Sequence, residues 1–170
     1  PMDISPIQGL KSFPRSSIIQ GVHALSENHA DAFITAGNSG AAVVSATQQI
    51  PRLATLRRPA MAVLFPGRQG ETVLLDVGAQ SQCTPAEMVQ IARLGSSFAR
   101  HILQRPEPTV GLINMGEEPT KGPSHWRNTH RLLKDSRLNF CGNIEGWDLP
   151  LNKVDVAVCD GFTGNIVLKL

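Results

Sequence analysis

The stretch Val154-Asp-Val-Ala-Val-Cys-Asp-Gly-Phe-Thr-Gly-Asn165 contains the signals that decide the fold. An apolar run of strand length is followed by a turn rich in Gly and then by the start of a helix. The stretch Asp31-Ala-Phe-Ile-Thr-Ala-Gly-Asn-Ser-Gly40 repeats this outline, with an Asp, an apolar run and a G-x-[ST]-G turn. The pair forms a weak internal repeat of a strand-to-helix unit.

The rest of the chain alternates in the same way between apolar runs and segments of helical spacing. After an extended lead-in over 1–14, helices are predicted at 16–27, 41–50, 85–101 and 124–134. Strands are predicted at 32–35, 60–65, 73–75, 110–113, from 140, and at 154–158. This order predicts an α/β fold of three layers, α/β/α, with a largely parallel sheet, and the length of 170 residues predicts one domain.

Small and amide-bearing residues follow these strands one after another. In open α/β sheets the ligand crevice lies beyond the carboxyl ends of the strands, so we expect these turns to meet there. The turns are Gly37-Asn38-Ser39-Gly40, Asp76-Val77-Gly78-Ala79, Asn114-Met115-Gly116-Glu117, Gly142-Asn143-Ile144-Glu145 and Asp160-Gly161-Phe162-Thr163-Gly164-Asn165.

The two G-x-[ST]-G turns have the composition of an anion-binding cup. Gly allows a close approach of the backbone, the hydroxyl of Ser39 or Thr163 is predicted to cap the helix, and free N–H groups at a helix start attract an anion. The pattern favours a phosphate or acyl-phosphate site, although Gly and Ser are common in any turn from strand to helix. Neither a G-x-x-x-x-G-K-[ST] loop nor a G-x-G-x-x-G fingerprint occurs, so no nucleotide cofactor is predicted.

Composition excludes several other classes of protein. Sixteen basic and 14 acidic residues give a net charge of +2, which argues against a nucleic-acid partner. Three widely spaced cysteines argue against a disulfide framework or a zinc site, and the five histidines lack metal-ligand spacing. No apolar run approaches the length of a membrane span, and no secretory signal is visible at Pro1-Met2-Asp3, so a cytoplasmic protein is expected.

At these loops the sequence resembles the PlsX family of bacterial phosphate acyltransferases. The similar segments cover residues 16–170 and are Ala36–Ala41, Arg58–Ala60, Leu74–Ala79, Gly95-Ser96, Val110–Gly116 through Lys121-Gly122, Asn139–Gly146 and Asp155–Lys169. The resemblance implies a fold related to the isopropylmalate dehydrogenases and transfer of a fatty acyl group from acyl carrier protein to inorganic phosphate. The product, an acyl phosphate, would feed phospholipid synthesis through a membrane acyltransferase.

The sequence departs from the family pattern at both ends and at two internal positions. The opening D-A-M-G-G-D strand is missing and the chain stops inside a new helix, so we expect an internal fragment of a larger protein. Gln80 replaces the usual Asn, and Trp147 replaces a polar or basic residue, which leaves no basic partner beside Asp148. By resemblance, membrane association and much of a homodimer surface lie beyond Leu170.

For the chemistry, Lys121 is predicted to neutralise phosphate or the developing oxyanion, because it lies in a family motif after a strand. Asn165 is predicted to donate its amide to the carbonyl oxygen or to phosphate. The remaining predicted contacts to phosphate or substrate are Gly37, Asn38, Ser39, Gly40, Asp76, Gly78, Asn114, Gly116, Asn143, Glu145, Asp160, Gly161, Thr163 and Gly164. Asp76 and Asp160 are alternatively caps of their turns, and Arg57 and Arg58 are candidates to meet the acidic surface of the carrier protein.

Two other functions stay open from the sequence. One is a phosphotransacetylase-like enzyme that uses acyl-coenzyme A. The other is a non-catalytic module that binds phosphate or acyl groups, because half of a crevice can bind without turning over substrate.

Overall fold

A computed structural model describes residues 4–53, 56 and 58–170, which fall into two compact units, 1–59 and 60–170. The strands are β1 (Ala62–Gly67), β2 (Gly70–Leu75), β3 (Thr109–Ile113), β4 (Asn139–Ile144) and β5 (Val156–Val158). The helices are α1 (Pro6–Ser12), α2 (Ser17–Ser26), α3 (Ser39–Gln49), α4 (Pro85–His101), α5 (Ser124–Lys134) and α6 (Gly161–Val167). The second unit contains all five strands. The expectation of one domain over residues 1–170 stays a prediction.

The strands form one sheet in the order β1-β2-β5-β3-β4. β2, β5, β3 and β4 are parallel, and β1 alone runs antiparallel, paired with β2 through a tight connection at Gly67–Gly70. The predicted α/β class with a largely parallel sheet is therefore confirmed. The central place of β5 explains why its stretch of sequence is apolar throughout, since parallel central strands are buried on both faces.

Alternate residues of the central strands enter two separate apolar clusters. Val73, Leu75, Val156 and Val158 face the cluster formed with α4 and α5. On the opposite face, a second cluster contains Leu74, Val77, Ile113, Ile144, Leu149, Val154, Ala157 and Cys159, with Val167 of α6 packed against it. This alternation follows from the two-residue period of a strand, and it fixes the register of the sheet.

Helix α4 begins and ends where the sequence predicts. The Thr84 hydroxyl accepts from the Glu87 N–H at 3.3 Å, the Glu87 carboxylate accepts from the Thr84 N–H at 2.8 Å, and Pro85 occupies the first turn. At Gly95 an added Cβ would lie 2.6 Å from Cγ1 of Val156, so only Gly lets α4 lie this close to the sheet. This contact accounts for Gly95 in the similar segment Gly95-Ser96.

The first unit contains α1, α2 and α3, and it corrects two predictions. Residues 1–14 are not an extended lead-in, because Pro6–Ser12 is helical; Ser5 accepts from the Gln8 N–H and Pro6 suits the first turn. Residues 1–3 of that range lie outside the described part. The apolar run Ala32–Thr35 forms no strand, since it has no ladder partner in the described residues of this unit and Ile34 is 94% exposed.

Candidate active site at the carboxyl edge of the sheet

Asp76, which directly follows β2, organises the loop after that strand. Its carboxylate is fully buried and accepts four backbone hydrogen bonds, from Met61 at 3.0 Å, Gly78 at 3.1 Å, Ala79 at 2.9 Å and Gln80 at 2.9 Å. The two oxygens of a carboxylate have enough lone pairs to accept from four donors, whereas a side-chain amide has only one accepting oxygen. The capping role weighed for Asp76 is therefore what the structure shows.

The start of α6 lies directly against this loop. The Gly161 N–H donates to the Gln80 carbonyl at 2.8 Å, and an added Cβ on Gly161 would lie 2.4 Å from that same oxygen. An added Cβ on Gly164 would lie 1.9 Å from the backbone oxygen of Asp76. Both glycines of the G-x-T-G turn are thus required for close approach between backbones, whereas the sequence suggested them for close approach to a ligand.

Asn165 completes the contact between α6 and the loop. Its Nδ2 donates to the Val77 carbonyl at 3.2 Å and lies 3.1 Å from the position that a Cβ of Gly78 would take. Gly78 has a φ of +139°, which an L side chain rarely adopts. The structure therefore brings together five of the residues singled out in the sequence, namely Asp76, Gly78, Gly161, Gly164 and Asn165.

The loop after β3 carries the predicted cation, Lys121. Asn114 holds both ends of this loop, since its Oδ1 accepts from the Met115 N–H at 2.9 Å and its Nδ2 donates to the Lys121 carbonyl at 3.2 Å. The side chain of Lys121 is half-exposed, with Nζ 3.9 Å from a carboxylate oxygen of Glu118. An exposed pair at this distance contributes little to stability, so the ammonium group is available to an anionic ligand.

Both ends of the Asn143 amide contact the protein, and the substrate contact predicted for this residue stays a prediction. Asn143 is buried, its Oδ1 lies 2.9 Å from Nδ1 of His130, and its Nδ2 donates to the Glu118 carbonyl at 2.8 Å. Because the amide nitrogen is already a donor, the oxygen accepts and His130 donates from Nδ1. The side chain ties α5 to the loop that carries Lys121.

A second tie to the same loop was not visible in the sequence. Lys153 pairs with Glu117 and with Asp148, and Oδ2 of Asp148 lies 3.1 Å from the Lys153 Nζ. The hydrogen bond to Glu117, followed by the one to Asp148, raises the pKa of Lys153 above its ordinary value. The buried carboxylate of Asp148 also accepts from the Glu145 N–H at 2.8 Å. Lys153 therefore supplies the basic partner that the sequence lacks beside Asp148, and no spacing rule points to it.

One opening joins the loops after β3 and β5. It has a volume of about 380 Å³ and is lined by Ile113, Asn114, Met115, Pro123, Trp126 and Thr163. Two of the predicted site residues, Asn114 and Thr163, thus come from separate strands to the same cavity. Convergence at the carboxyl edge of the sheet was expected from the sequence, whereas the indole wall of Trp126 was not.

The hydroxyl caps predicted at Ser39 and Thr163 are wrong, whereas the alternative that made Asp160 the cap of its turn is confirmed. In the first unit the Oδ1 of Asn38 accepts from the Ala41 N–H at 2.9 Å, and in the second the Oδ1 of Asp160 accepts from the Thr163 N–H at 2.9 Å. The hydroxyls of Ser39 and Thr163 are not the caps, because these residues are the first of α3 and the third of α6. The two turns of the repeat therefore place the cap differently. In the turn Gly37–Gly40 the cap, Asn38, follows the first Gly and precedes Ser39, whereas in the other turn the cap, Asp160, precedes Gly161.

The described residues offer neither a metal cluster nor a reactive buried thiol. No group of three His, Cys, Asp or Glu side chains in that part of the chain has metal-binding geometry. Burial raises the pKa of Cys83 to about 12, with the charges of Asp76 and Asp160 adding to it, and burial likewise raises the pKa of Cys159. No helix in the described ranges is both long and apolar enough to cross a membrane.

Comparison with known proteins places this arrangement in a family. The chain is 43% identical over 169 residues to the phosphate acyltransferase of Salinibacter ruber and 41% identical over 168 residues to that of Desulforudis audaxviator, covering 99% of this chain in both cases. It spans about half the length of these curated relatives, 50% in each case.

Solved structures share the fold at low identity. A phosphotransacetylase from Streptococcus pyogenes superposes with a TM-score of 0.71 at 16% identity, covering 96% of this chain and 56% of that one. The phosphotransacetylase EutD from Staphylococcus aureus gives 0.64 at 14% identity, covering 89% and 53%. A family model described as fatty acid synthesis protein matches residues 1–170. The chain belongs to this fatty acid synthesis protein family.

Proposed function

We propose that the chain is part of an acyl-[acyl carrier protein]:phosphate acyltransferase, a transferase that forms acyl phosphate for phospholipid synthesis. Family membership and the names of the curated relatives support this reaction. The observation that carries the proposal is a cavity that both Asn114 and Thr163 line, at the strand ends where the loop bearing Lys121 begins. Polar groups beside an apolar wall suit a substrate with a polar carbonyl end and a hydrocarbon chain.

The reaction needs positioning and charge stabilisation rather than a protein nucleophile. An oxygen of phosphate attacks the carbonyl carbon of the thioester, the new C–O bond forms, and the C–S bond breaks. The carrier leaves as a thiolate, which takes up a proton. Because phosphate is itself the nucleophile, no catalytic Ser or Cys is required, in keeping with the buried, protonated thiols of Cys83 and Cys159.

In this proposal Lys121 neutralises the phosphate or the oxyanion. Asn165 donates one N–H of its amide to the Val77 carbonyl, and its second N–H is the proposed donor to the reacting groups. Asp76 and Asn143 act as positioning residues, since one holds the loop beside Asn165 and the other holds the loop that carries Lys121. Direct contacts from Gly116, Glu145 and Asp160 to phosphate remain part of the proposal, and the anion contacts of the turn 37–40 stay a prediction from the sequence.

The partners follow from the reaction. Acyl carrier protein and inorganic phosphate are the proposed substrates, with a membrane acyltransferase as the consumer of the product, a homodimer as the assembly and the cytoplasm as the location. Arg58 is a proposed contact for the acidic carrier, whereas Arg57 lies outside the described residues. Nucleic acid plays no part.

The alternative donor is acyl-coenzyme A, which would undergo the same chemistry on the same fold. The other alternative is a module that binds without turnover. The carrier-protein substrate and the coenzyme A substrate differ only in the group that carries the thioester, so the test must vary that group.

Trapping acyl phosphate with hydroxylamine tests the proposal. The full-length protein and this 170-residue chain are each incubated with phosphate and with either carrier-bound or coenzyme A thioesters of the same acyl group. We expect phosphate-dependent hydroxamate from the full-length protein, faster with the carrier-bound substrate. A preference for coenzyme A would favour the alternative donor, and no product with either would leave the binding module as the better reading.

A further inference from the structure

We infer that the acyl chain of the substrate lies in the cavity walled by Trp126, and that Met115 at this cavity determines which chain lengths are accepted. The inference rests on the proposed function and deepens it. It concerns the cavity of about 380 Å³ beyond β3 and β5.

The apolar wall of this cavity is fixed in place. Trp126 is 8% exposed, and its Nε1 donates to the Ile113 carbonyl at 2.7 Å. This bond satisfies the only polar atom of the indole, so the ring faces the cavity as a rigid hydrocarbon surface. Pro123 and Ile113 extend the same surface.

Met115 is the adjustable part of the lining. Its side chain is 75% exposed, although its backbone N–H is fixed by Asn114. An unbranched, polarizable side chain of this kind adapts to ligands of different shape. When a Met side chain folds over a bound hydrocarbon, apolar surface of both is removed from water. A longer chain buries more surface and therefore gains more binding free energy.

Polarity is distributed along the cavity in a way that orients the chain. Asn114 and Thr163 contribute the polar groups, and the other four lining residues are apolar. A thioester carbonyl beside Asn114 and Thr163 leaves its hydrocarbon tail against Trp126 and Met115. The reacting carbon is then held near the loop of Lys121, and the chain stays out of water.

The test uses Trp126 as its own reporter. The chain has two tryptophans, and the second, Trp147, is 71% exposed. In the full-length protein, Trp147 and any tryptophan outside these 170 residues are replaced by Phe. The remaining fluorescence then comes from Trp126. A long-chain fatty acid brominated near mid-chain is titrated beside its unbrominated parent, with acetate as the short control. Bromine quenches an indole only near contact.

We expect quenching by the brominated acid alone. Met115→Ala should weaken the affinity for this acid, measured by the quenching titration, about tenfold. Met115→Trp should lower kcat/KM for long-chain thioesters while sparing acetyl thioester. Ile102→Ala is the matched control, because Ile102 is 64% exposed at the end of α4, at the opposite edge of the sheet, and should change neither value.

The two proposals fail separately. Acyl phosphate formation without quenching of Trp126, or with chain-length preference unchanged in both Met115 variants, would overturn the cavity assignment and leave the reaction standing. Quenching sensitive to Met115 without any acyl phosphate would support the acyl cavity and remove the proposed reaction.

Discussion

The Nδ1 atom of His130 lies 2.9 Å from Oδ1 of Asn143, and this pair joins the middle of α5 to the end of β4. The same Asn143 amide reaches the Glu118 carbonyl, so one buried side chain connects a helix, a strand and the loop that carries Lys121. Buried polar groups arranged in this way hold a loop in one geometry, because each unpaired donor or acceptor would be costly.

Replacing Asn143 with Leu should therefore destabilise the protein by about 2 kcal/mol, since it leaves His130 and the Glu118 carbonyl without their partner. Urea unfolding followed by circular dichroism measures the change. Asn139→Ala is the control, because Asn139 is exposed and its hydrogen bond to the Glu107 carbonyl is 3.2 Å long; it should cost less than about 0.5 kcal/mol. Equal losses in the two variants would contradict the role given to Asn143.

Asp76→Asn should destabilise the protein by about 3 kcal/mol, because an amide nitrogen would face a backbone N–H that the carboxylate now accepts. Asp160→Asn is a matched comparison, since Asp and Asn are equally good at a helix N-cap, and its cost should stay below about 0.5 kcal/mol. Thermal unfolding of both variants decides the matter. A large loss at Asp160 with none at Asp76 would contradict the assigned hydrogen bonds.

Lys121→Ala should lower kcat/KM for phosphate about a hundredfold in the full-length protein, because the cation proposed to face the phosphate is lost. Stability should barely change, given that the side chain is half-exposed and its pair with Glu118 is long. Lys134→Ala, at the exposed end of α5, provides the control. Normal kinetics for Lys121→Ala would discard its catalytic role.

Asn165→Ala should lower kcat more than it raises KM, since the proposed donor acts on the charge that develops in the transition state. The variant also loses the bond to the Val77 carbonyl, so its unfolding free energy must be measured alongside the steady-state kinetics. An effect on KM alone would instead make Asn165 a uniform binding contact.

The three cysteines should differ in their reaction with iodoacetamide at pH 8. Cys141 is exposed, whereas Cys83 and Cys159 are buried with raised pKa values, and a raised pKa keeps a thiol protonated and unreactive at this pH. Mass spectrometry of the alkylated native protein should find the label on Cys141 alone, and acyl phosphate formation should survive. Rapid labelling of Cys83, or inactivation through it, would contradict both the burial and the proposed chemistry.

The sequence predicted most of the second unit. The ranges 85–101 for α4 and 124–134 for α5 are confirmed, because each rests on a local signal of capping or helical spacing. The strand beginning near Phe140 and the apolar runs of β2, β3 and β5 are confirmed within a few residues. Ala32–Thr35 is wrong as a strand, since an apolar run becomes a strand only where another strand lies beside it.

What the sequence determined by itself is local: where helices begin, which residues are apolar on both sides, and that Gly and amide side chains follow the strands. The tertiary structure alone decided which of those side chains remain available. It commits Asp76 to four backbone amides and Asn143 to His130, and it brings Lys153 to Asp148 and Trp126 to the cavity of Asn114. The physical reason is that buried hydrogen-bonding groups must find partners, and those partners are set by the crossing of strands and helices distant in sequence.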